Sequence, residues 1–308
     1  MMNTTSAEAV LFALEPHSLF YSLCKKLSLN PGFHSFRRFP DNESYLRIEN
    51  DVKEKHCIIL ADLSHPDSKC LHLLFLAETL RDLGAASVGL VAPYLCYLRQ
   101  DKRFVAGEAV TSRIFASLLS QHIDWLVTVD PHLHRYHSLN EVYSIPCRVV
   151  HGASLLAAWL ASQQDILLVG PDAESEQWVA KVAEQSGHPY VIGEKQRLGD
   201  REVVVTLPEL DSYKVSSAVV IDDVISSGHT LMQCIEALHL QGIEDVSCAA
   251  IHGIFVGDAE ERLLETGINK LVTTNSISHP SNELDLSESL VMPISASLAE
   301  LNELKTKG

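Results

Sequence analysis

No stretch of this 308-residue chain approaches the roughly 18 uninterrupted apolar residues of a membrane-spanning helix, and its start carries no basic region followed by an apolar run. Both absences lead to the expectation of a cytoplasmic protein with no membrane partner. Positive charge is scarce as well: 24 Lys and Arg stand against 40 Asp and Glu, a formal net charge of −16. A nucleic-acid backbone is therefore not expected as a partner. Small phosphorylated substrates stay open, because screening over roughly 8 Å leaves a site to its own local donors and cations. Paired cysteine spacing is missing too. Cys24, Cys57, Cys70, Cys96, Cys147, Cys234 and Cys248 are scattered, several in apolar surroundings, and read as buried thiols of a reducing compartment. No short-period repeat, Gly/Ser-rich linker or proline-rich linker divides the chain.

What is present is apolar material in strand-length runs. The 46% apolar content suffices for substantial cores. Runs recur at Val10 to Leu14, Cys57 to Leu63, Val88 to Pro93, Trp125 to Val129, Ile166 to Val169, Ala218 to Ile221 and Val246 to Ile251. Their continuity, without alternation, is that of parallel strands buried on both faces. Between them lie helical patterns. Leu73, Leu76, Ala77 and Leu80 share a face before Gly84, and a second helix starts near Thr111 and Ser112, either able to cap it. That second segment places Ile114, Phe115, Leu118 and Leu119 on one face, and a third carries Trp178, Val179 and Val182. Strand and helix alternate, which predicts an α/β fold, with two domains divided near residue 150 into 1–149 and 150–308. The last residues, Ser297 to Lys307, read as helical and free to dock on either domain. Strands ending in Asp130-Pro131 and in Gly170-Pro171-Asp172 give the halves a coarse likeness.

Two local patterns carry chemistry. Arg37 to Tyr45 holds a Pro-Asp-Asn turn between extended residues and predicts a hairpin. Ala218 to Thr230 reads as a buried strand, two acids (Asp222 and Asp223), a small-residue turn, and a helix beginning near Leu231. In such a turn successive backbone N–H groups surround phosphate oxygens, Ser226, Ser227 and Thr230 supply hydroxyls, and Gly228 permits close approach. The adjacent carboxylates then address sugar hydroxyls or magnesium. An ordinary capped strand-to-helix turn would show the same spacing.

Val219 to Thr230 resembles the phosphoribosyl-diphosphate loop shared by type I phosphoribosyltransferases and ribose-phosphate diphosphokinases. The diphosphokinases are also matched by Phe39 to Glu43, Tyr97 to Phe104, Val129 to His134, Gly170 to Asp172, Glu194 to Arg197 and His252 to Phe255, all in the family's order. The resemblance implies two type I phosphoribosyltransferase-like domains, each a mainly parallel sheet flanked by helices. It implies magnesium-dependent transfer of diphosphate from ATP to the anomeric hydroxyl of ribose 5-phosphate, giving AMP and phosphoribosyl diphosphate. On it, Phe39, Asp41, Asn42, Glu43, Arg99, Gln100 and Asp101 hold ATP. Asp222, Asp223, Ser226, Ser227, Gly228, His229 and Thr230 hold ribose 5-phosphate, and Lys195 and Arg197 act on the transferring group from a mobile flap. The family's hairpin reaches ATP across a subunit interface, so a homo-oligomer is implied.

His132 and Asp172 are the magnesium candidates, a ring nitrogen and a hard oxygen. His132 and His134 would face the same way on a strand, which brings zinc into consideration, although no cysteine or acidic pair lies at suitable spacing. His134 and His137 read as structural. Some positions depart from the family pattern. His229 stands where a glycine is usual and crowds the turn unless its side chain points outward. Ser226 stands where many members carry an acid, and Ala173 to Glu176 follow Asp172 where glycines are usual. Three other readings remain: a type I phosphoribosyltransferase, a non-catalytic regulatory homologue, and a diphosphokinase acting on another pentose phosphate.

Overall fold

The computed structural model describes residues 9–198 and 202–307, with side chains for 9–195 and 204–301. Two compact units emerge: one runs through Val150 and takes in the chain from Leu286 onward, the other spans His151–Asp285.

In the first unit the core is a six-stranded sheet whose strands are all parallel. In chain order they are β1 (Ala9–Ala13), β2 (Asn30–Gly32), β5 (His56–Leu60), β6 (Ser87–Ala92), β7 (Trp125–Val129) and β8 (Cys147–Val150), ordered in space β2-β1-β5-β6-β7-β8. The antiparallel hairpin of β3 (His34–Arg38) and β4 (Ser44–Ile48) stands apart from that sheet. Helices α1 (Leu19–Leu27), α2 (Pro66–Asp82) and α3 (Thr111–His122) complete the crossovers. Strands β5, β6 and β7 are buried at every residue, which explains their unalternating apolar sequences. Leu73, Leu76, Ala77 and Leu80 of α2 are all fully buried, and each leucine there is worth roughly 1.5–3 kcal/mol.

The α3 expectations need correcting. Val110 is the N-cap, without a side-chain cap bond, and Ser112 turns its hydroxyl toward Tyr136 Oη at 3.3 Å. Ile114 is 62% exposed and Leu118 half-buried, so the fully buried apolar residues of α3 are Phe115, Ala116 and Leu119.

The second unit repeats the design. Its parallel sheet is ordered β10-β9-β13-β14-β15-β16, from β9 (Ile166–Gly170), β10 (Tyr190–Ile192), β13 (Ser217–Ile225), β14 (Asp245–Gly253), β15 (Lys270–Thr274) and β16 (Asn282–Leu284). An antiparallel ribbon, β11 (Glu194–Leu198) with β12 (Glu202–Thr206), follows the second strand, as the hairpin does in the first unit. Helices α4 (Ala153–Leu160), α5 (Glu176–Ser186), α6 (His229–Leu240) and α7 (Ala259–Glu265) flank it. The likeness of the halves is therefore topological. It equates β1 with β9, which corrects the pairing of Asp130-Pro131 with Gly170-Pro171-Asp172, since Asp130 follows the fifth strand of its sheet and Asp172 the first of its own.

The final helix, α8 (Ser287–Lys307), belongs to the first unit, where Glu288 pairs with Lys26 at 2.6 Å and Glu300 with Arg148. Among the described residues no helix is long and apolar enough to cross a membrane.

Gly89 on β6 is register-paired with Trp125 on β7, and a Cβ there would lie 2.0 Å from the indole. Gly89→Ala is expected to destabilise the protein by about 1–3 kcal/mol, the cost of overpacking a fixed core. Thermal unfolding would read this as a lower Tm; an unchanged Tm would show that the indole has room to move.

Candidate active site

In the second unit the site is built where strands β9 and β13 end. β13 carries Asp222 and Asp223 in its last turns and closes at Ile225, after which Ser226-Ser227-Gly228 leads into α6. Gly228 is the N-cap, with φ +68°, a conformation an L side chain resists. Leu263 of α7 lies 3.1 Å from the point where a Cβ would stand. The turn is held from below by backbone bonds. Ile254 N–H and Phe255 N–H donate to the Ile225 carbonyl (2.9 and 3.2 Å), and Val256 N–H to that of Ser226 (3.0 Å). Its upper side, with Ser226 and Thr230 half-buried and Ser227 exposed, faces the opening of the first turn of a twelve-residue helix. Unsatisfied N–H groups at that end favour an anion.

The helix starts at His229, two residues before the expected position. His229 is exposed and lies along α6, its Nε2 3.4 Å from Gln233 Nε2. It points out of the turn and does not crowd it.

Three carboxylates share this end of the sheet. The Asp222 carboxyl is pushed well above the usual carboxylate range, first by desolvation and then by the charges of Asp223 and Asp172. Asp172 sits in a tight turn after β9: its Oδ1 accepts from Glu174 N–H (3.0 Å), and its carbonyl accepts from the N–H and hydroxyl of Ser175 (3.1 and 2.6 Å). Lys195 Nζ stands 3.7 Å from Asp172 Oδ2. This approach is made possible by Gly193 at the foot of the ribbon, where a Cβ would come within 2.8 Å of the Pro171 carbonyl oxygen. The segment expected as a flap is thus strand over Glu194–Leu198, with Arg197 in register with Val203. The Arg197 side chain and residues 199–201 lie outside the described residues.

In the first unit, Phe39 caps the hairpin and is 39% exposed. Arg37 lies over the rings of Phe39 and Tyr45, at 4.6 and 4.3 Å. Asn42, at φ +69°, donates its N–H to the Phe39 carbonyl, and Asp41 Oδ1 accepts from Glu43 N–H (3.2 Å). These bonds present the side chains of Asn42 and Glu43 outward on a stiff turn. The loop after β6 is less solvated than a charge run suggests. Arg99 is exposed and Gln100 half-buried, but Asp101 is 5% exposed and accepts from Arg135 Nη1 at 2.7 Å. Tyr136 Oη donates to the Asp101 carbonyl (3.1 Å). The Arg135 pairing was invisible in the sequence, where 34 positions separate it from Asp101.

His132 and His134 follow β7 in irregular chain, not on a strand as the sequence suggested. Their rings still meet edge to face, Nε2 to Nε2 at 2.8 Å. His132 belongs to the first unit and Asp172 to the second.

The model of the N-terminal domain of ribose phosphate pyrophosphokinase matches residues 9–122, and that of the phosphoribosyl transferase domain matches residues 138–282. The ribose-phosphate pyrophosphokinase of Saccharolobus solfataricus is 34% identical over 282 residues, 89% of this chain and 95% of that protein. That of Methanobrevibacter smithii is 31% identical over 82% of this chain and 89% of its own. Among solved structures, phosphoribosylpyrophosphate synthetase from Mycobacterium smegmatis shares the fold, with a TM-score of 0.82 at 23% identity, over 95% of this chain and 99% of that one.

Proposed function

Because the chain belongs to the ribose-phosphate pyrophosphokinase family, we propose that it transfers the β,γ-diphosphoryl group of ATP to the anomeric hydroxyl of ribose 5-phosphate. The hydroxyl oxygen bonds to the β-phosphorus, the bond from that phosphorus to the α,β-bridging oxygen breaks, and AMP leaves with the bridging oxygen. The hydroxyl proton passes to water. The observation that carries this reading is the juxtaposition of an anion-binding turn with a carboxylate pair and a lysine at one sheet end.

Each group has a task set by its place. The turn from Ser226 to Thr230 takes the 5-phosphate on backbone N–H groups and hydroxyls. Asp222 and Asp223 accept hydrogen bonds from ribose hydroxyls. Lys195, with Arg197 from the same strand, meets the charge that grows on the diphosphate in transit. On the ATP side, Phe39 packs on the base, Asn42 and Glu43 bond its edge, and Arg99 and Gln100 face the phosphates. Asp101 acts through Arg135, fixing the loop that carries those two. The exposed hairpin suits nucleotide contact in a second copy of the chain.

Magnesium fits the donors present. Asp172 offers a hard oxygen, and desolvation together with the charges of Asp223 and Asp172 already raises the Asp222 pKa, so that a divalent cation at this sheet end would relieve part of that strain. Asp172 would hold such an ion in the second unit, and His132 would offer a ring nitrogen to one in the first. When bound it neutralises charge on the β- and γ-oxygens.

Phosphorus NMR of the protein with ATP, ribose 5-phosphate and magnesium tests the reaction: AMP and phosphoribosyl diphosphate should form together and stop on chelation. Turnover with another pentose phosphate but not this one would move the assignment of the acceptor, and no product with any would end the enzymatic reading. Gly193→Ala probes the ribbon's close approach. It should reduce kcat by up to about 10²-fold, the cost of a roughly 1 Å misplacement, with a small change in the KM for ribose 5-phosphate. An unaltered kcat would detach the ribbon's position from the chemistry.

A further inference from the structure

The duplicated topology gives the first unit a counterpart of the sheet end that carries the turn and carboxylates of the second. There β1 and β5 are neighbours, although the chain visits β2 between them, and the strand order reverses. Crevices outside the C-terminal ends of strands at such a reversal are where open α/β sheets take ligands. An open groove of about 950 Å³ occupies this place, lined by the turn after β1 (Leu14 to Ser18), by β3, and by Ser68 and His72 of α2. Its chemistry differs from that of the second unit. Where the acids and phosphate turn would be, Lys69 is buried and fills the space, bonded to the Asp62 carboxylate (3.1 Å) and the Ser64 hydroxyl (3.3 Å) and paired with Glu15 (3.3 Å). The groove is instead lined by three histidines, His17, His34 and His72.

Two of them converge. His34 Nε2 and His72 Nε2 lie 3.0 Å apart, one on β3 and the other on α2. Two imidazole nitrogens bonded to one tetrahedral ion at 2.0–2.1 Å stand about 3.3 Å apart, so a shift of a few tenths of an ångström suffices. His72 is held in place by Phe36, whose ring stacks on it at 3.7 Å and 13°. Both rings are neutral at pH 7 and hence competent as ligands: burial lowers His34, and burial with the nearby His34 and Arg38 brings His72 down to about 4. Glu49 favours a cation near His34, while Arg38 opposes one near His72.

We propose that His34 and His72 form a binding site for a borderline divalent transition metal such as zinc, with water from the groove completing the coordination. Imidazole pairs select zinc, copper and nickel and discriminate against magnesium. On binding, whichever ring now donates through Nε2 moves that proton to its own Nδ1, so that both Nε2 lone pairs face the ion and both rings stay neutral. It ties β3, and with it the hairpin, to α2.

Calorimetric titration with zinc chloride, magnesium in excess to fill the oxygen sites, tests this on the full chain as wild type, His34→Gln and His72→Gln. Wild type should bind one more equivalent of zinc than either variant, and the zinc-induced rise in Tm should shrink in both. Equal stoichiometry and equal Tm shifts in all three would overturn the site and attribute any zinc uptake to other histidines, His132 and His134 included. Should His72→Gln fail to fold, His34→Gln, whose ring is the more exposed, decides by the same two readings.

Discussion

Replacing Lys195 by alanine is expected to lower kcat by about 10² to 10³, or 3–4 kcal/mol of transition-state stabilisation, the range found when one fixed donor to a developing charge is removed. Two effects of the substitution oppose each other. Losing the cation removes a partner for the diphosphate as its charge redistributes. It also frees Asp172, now 3.7 Å from the lysine Nζ, to hold magnesium more tightly. Magnitudes decide between them. The lysine side chain is 39% exposed, and an ion pair at that distance and exposure contributes about 0–1 kcal/mol. The gain at Asp172 is therefore small beside the loss in the transition state. Tm should hardly move for the same reason. Steady-state kinetics at saturating ATP and magnesium checks this, with Lys195→Arg as a charge-preserving control expected to recover part of the rate. A kcat within threefold of wild type would remove Lys195 from the catalytic group.

The parts of this molecule legible in the sequence are those whose physics is local. Strands β5, β6 and β7 announced themselves because burial on both faces demands uninterrupted apolar residues, and the phosphate turn did so because strand, acids, hydroxyls and glycine are contiguous. The short edge strands were not legible. β2 reads Asn30-Pro31-Gly32, three residues with no strand propensity, and exists because β1 offers it a ladder. Ile114 misled because a helical pattern reports what can share a face, not how wide the covered face is. The site is legible in its pieces and illegible in its joins. The approach of Lys195 to Asp172, the grip of Arg135 on Asp101 and the meeting of His34 with His72 arise between elements distant in sequence. The reversal of strand order between β1 and β5, and between β9 and β13, creates the first and third of these neighbourhoods, and no residue type encodes it.

Asp223→Ala should act on the other substrate. A carboxylate accepting hydrogen bonds from sugar hydroxyls contributes about 1.5–3 kcal/mol, so kcat/KM for ribose 5-phosphate should fall roughly 10- to 150-fold, while the KM for ATP stays near its wild-type value. The lower half of that range is favoured by the neighbouring acid. Asp222 is held protonated above its normal range partly by the charge of Asp223, and removing that charge leaves desolvation and Asp172 as the causes. Asp222 then ionises more readily and takes over part of the hydrogen bonding its neighbour has lost. The double variant Asp222→Ala/Asp223→Ala should consequently lose more than the sum of the two single losses, expressed as free energies. Kinetics varying each substrate in turn separates these outcomes: equal losses toward ATP and ribose 5-phosphate would show that Asp223 serves the magnesium common to both, and strict additivity would show that the two carboxylates do not share the ribose.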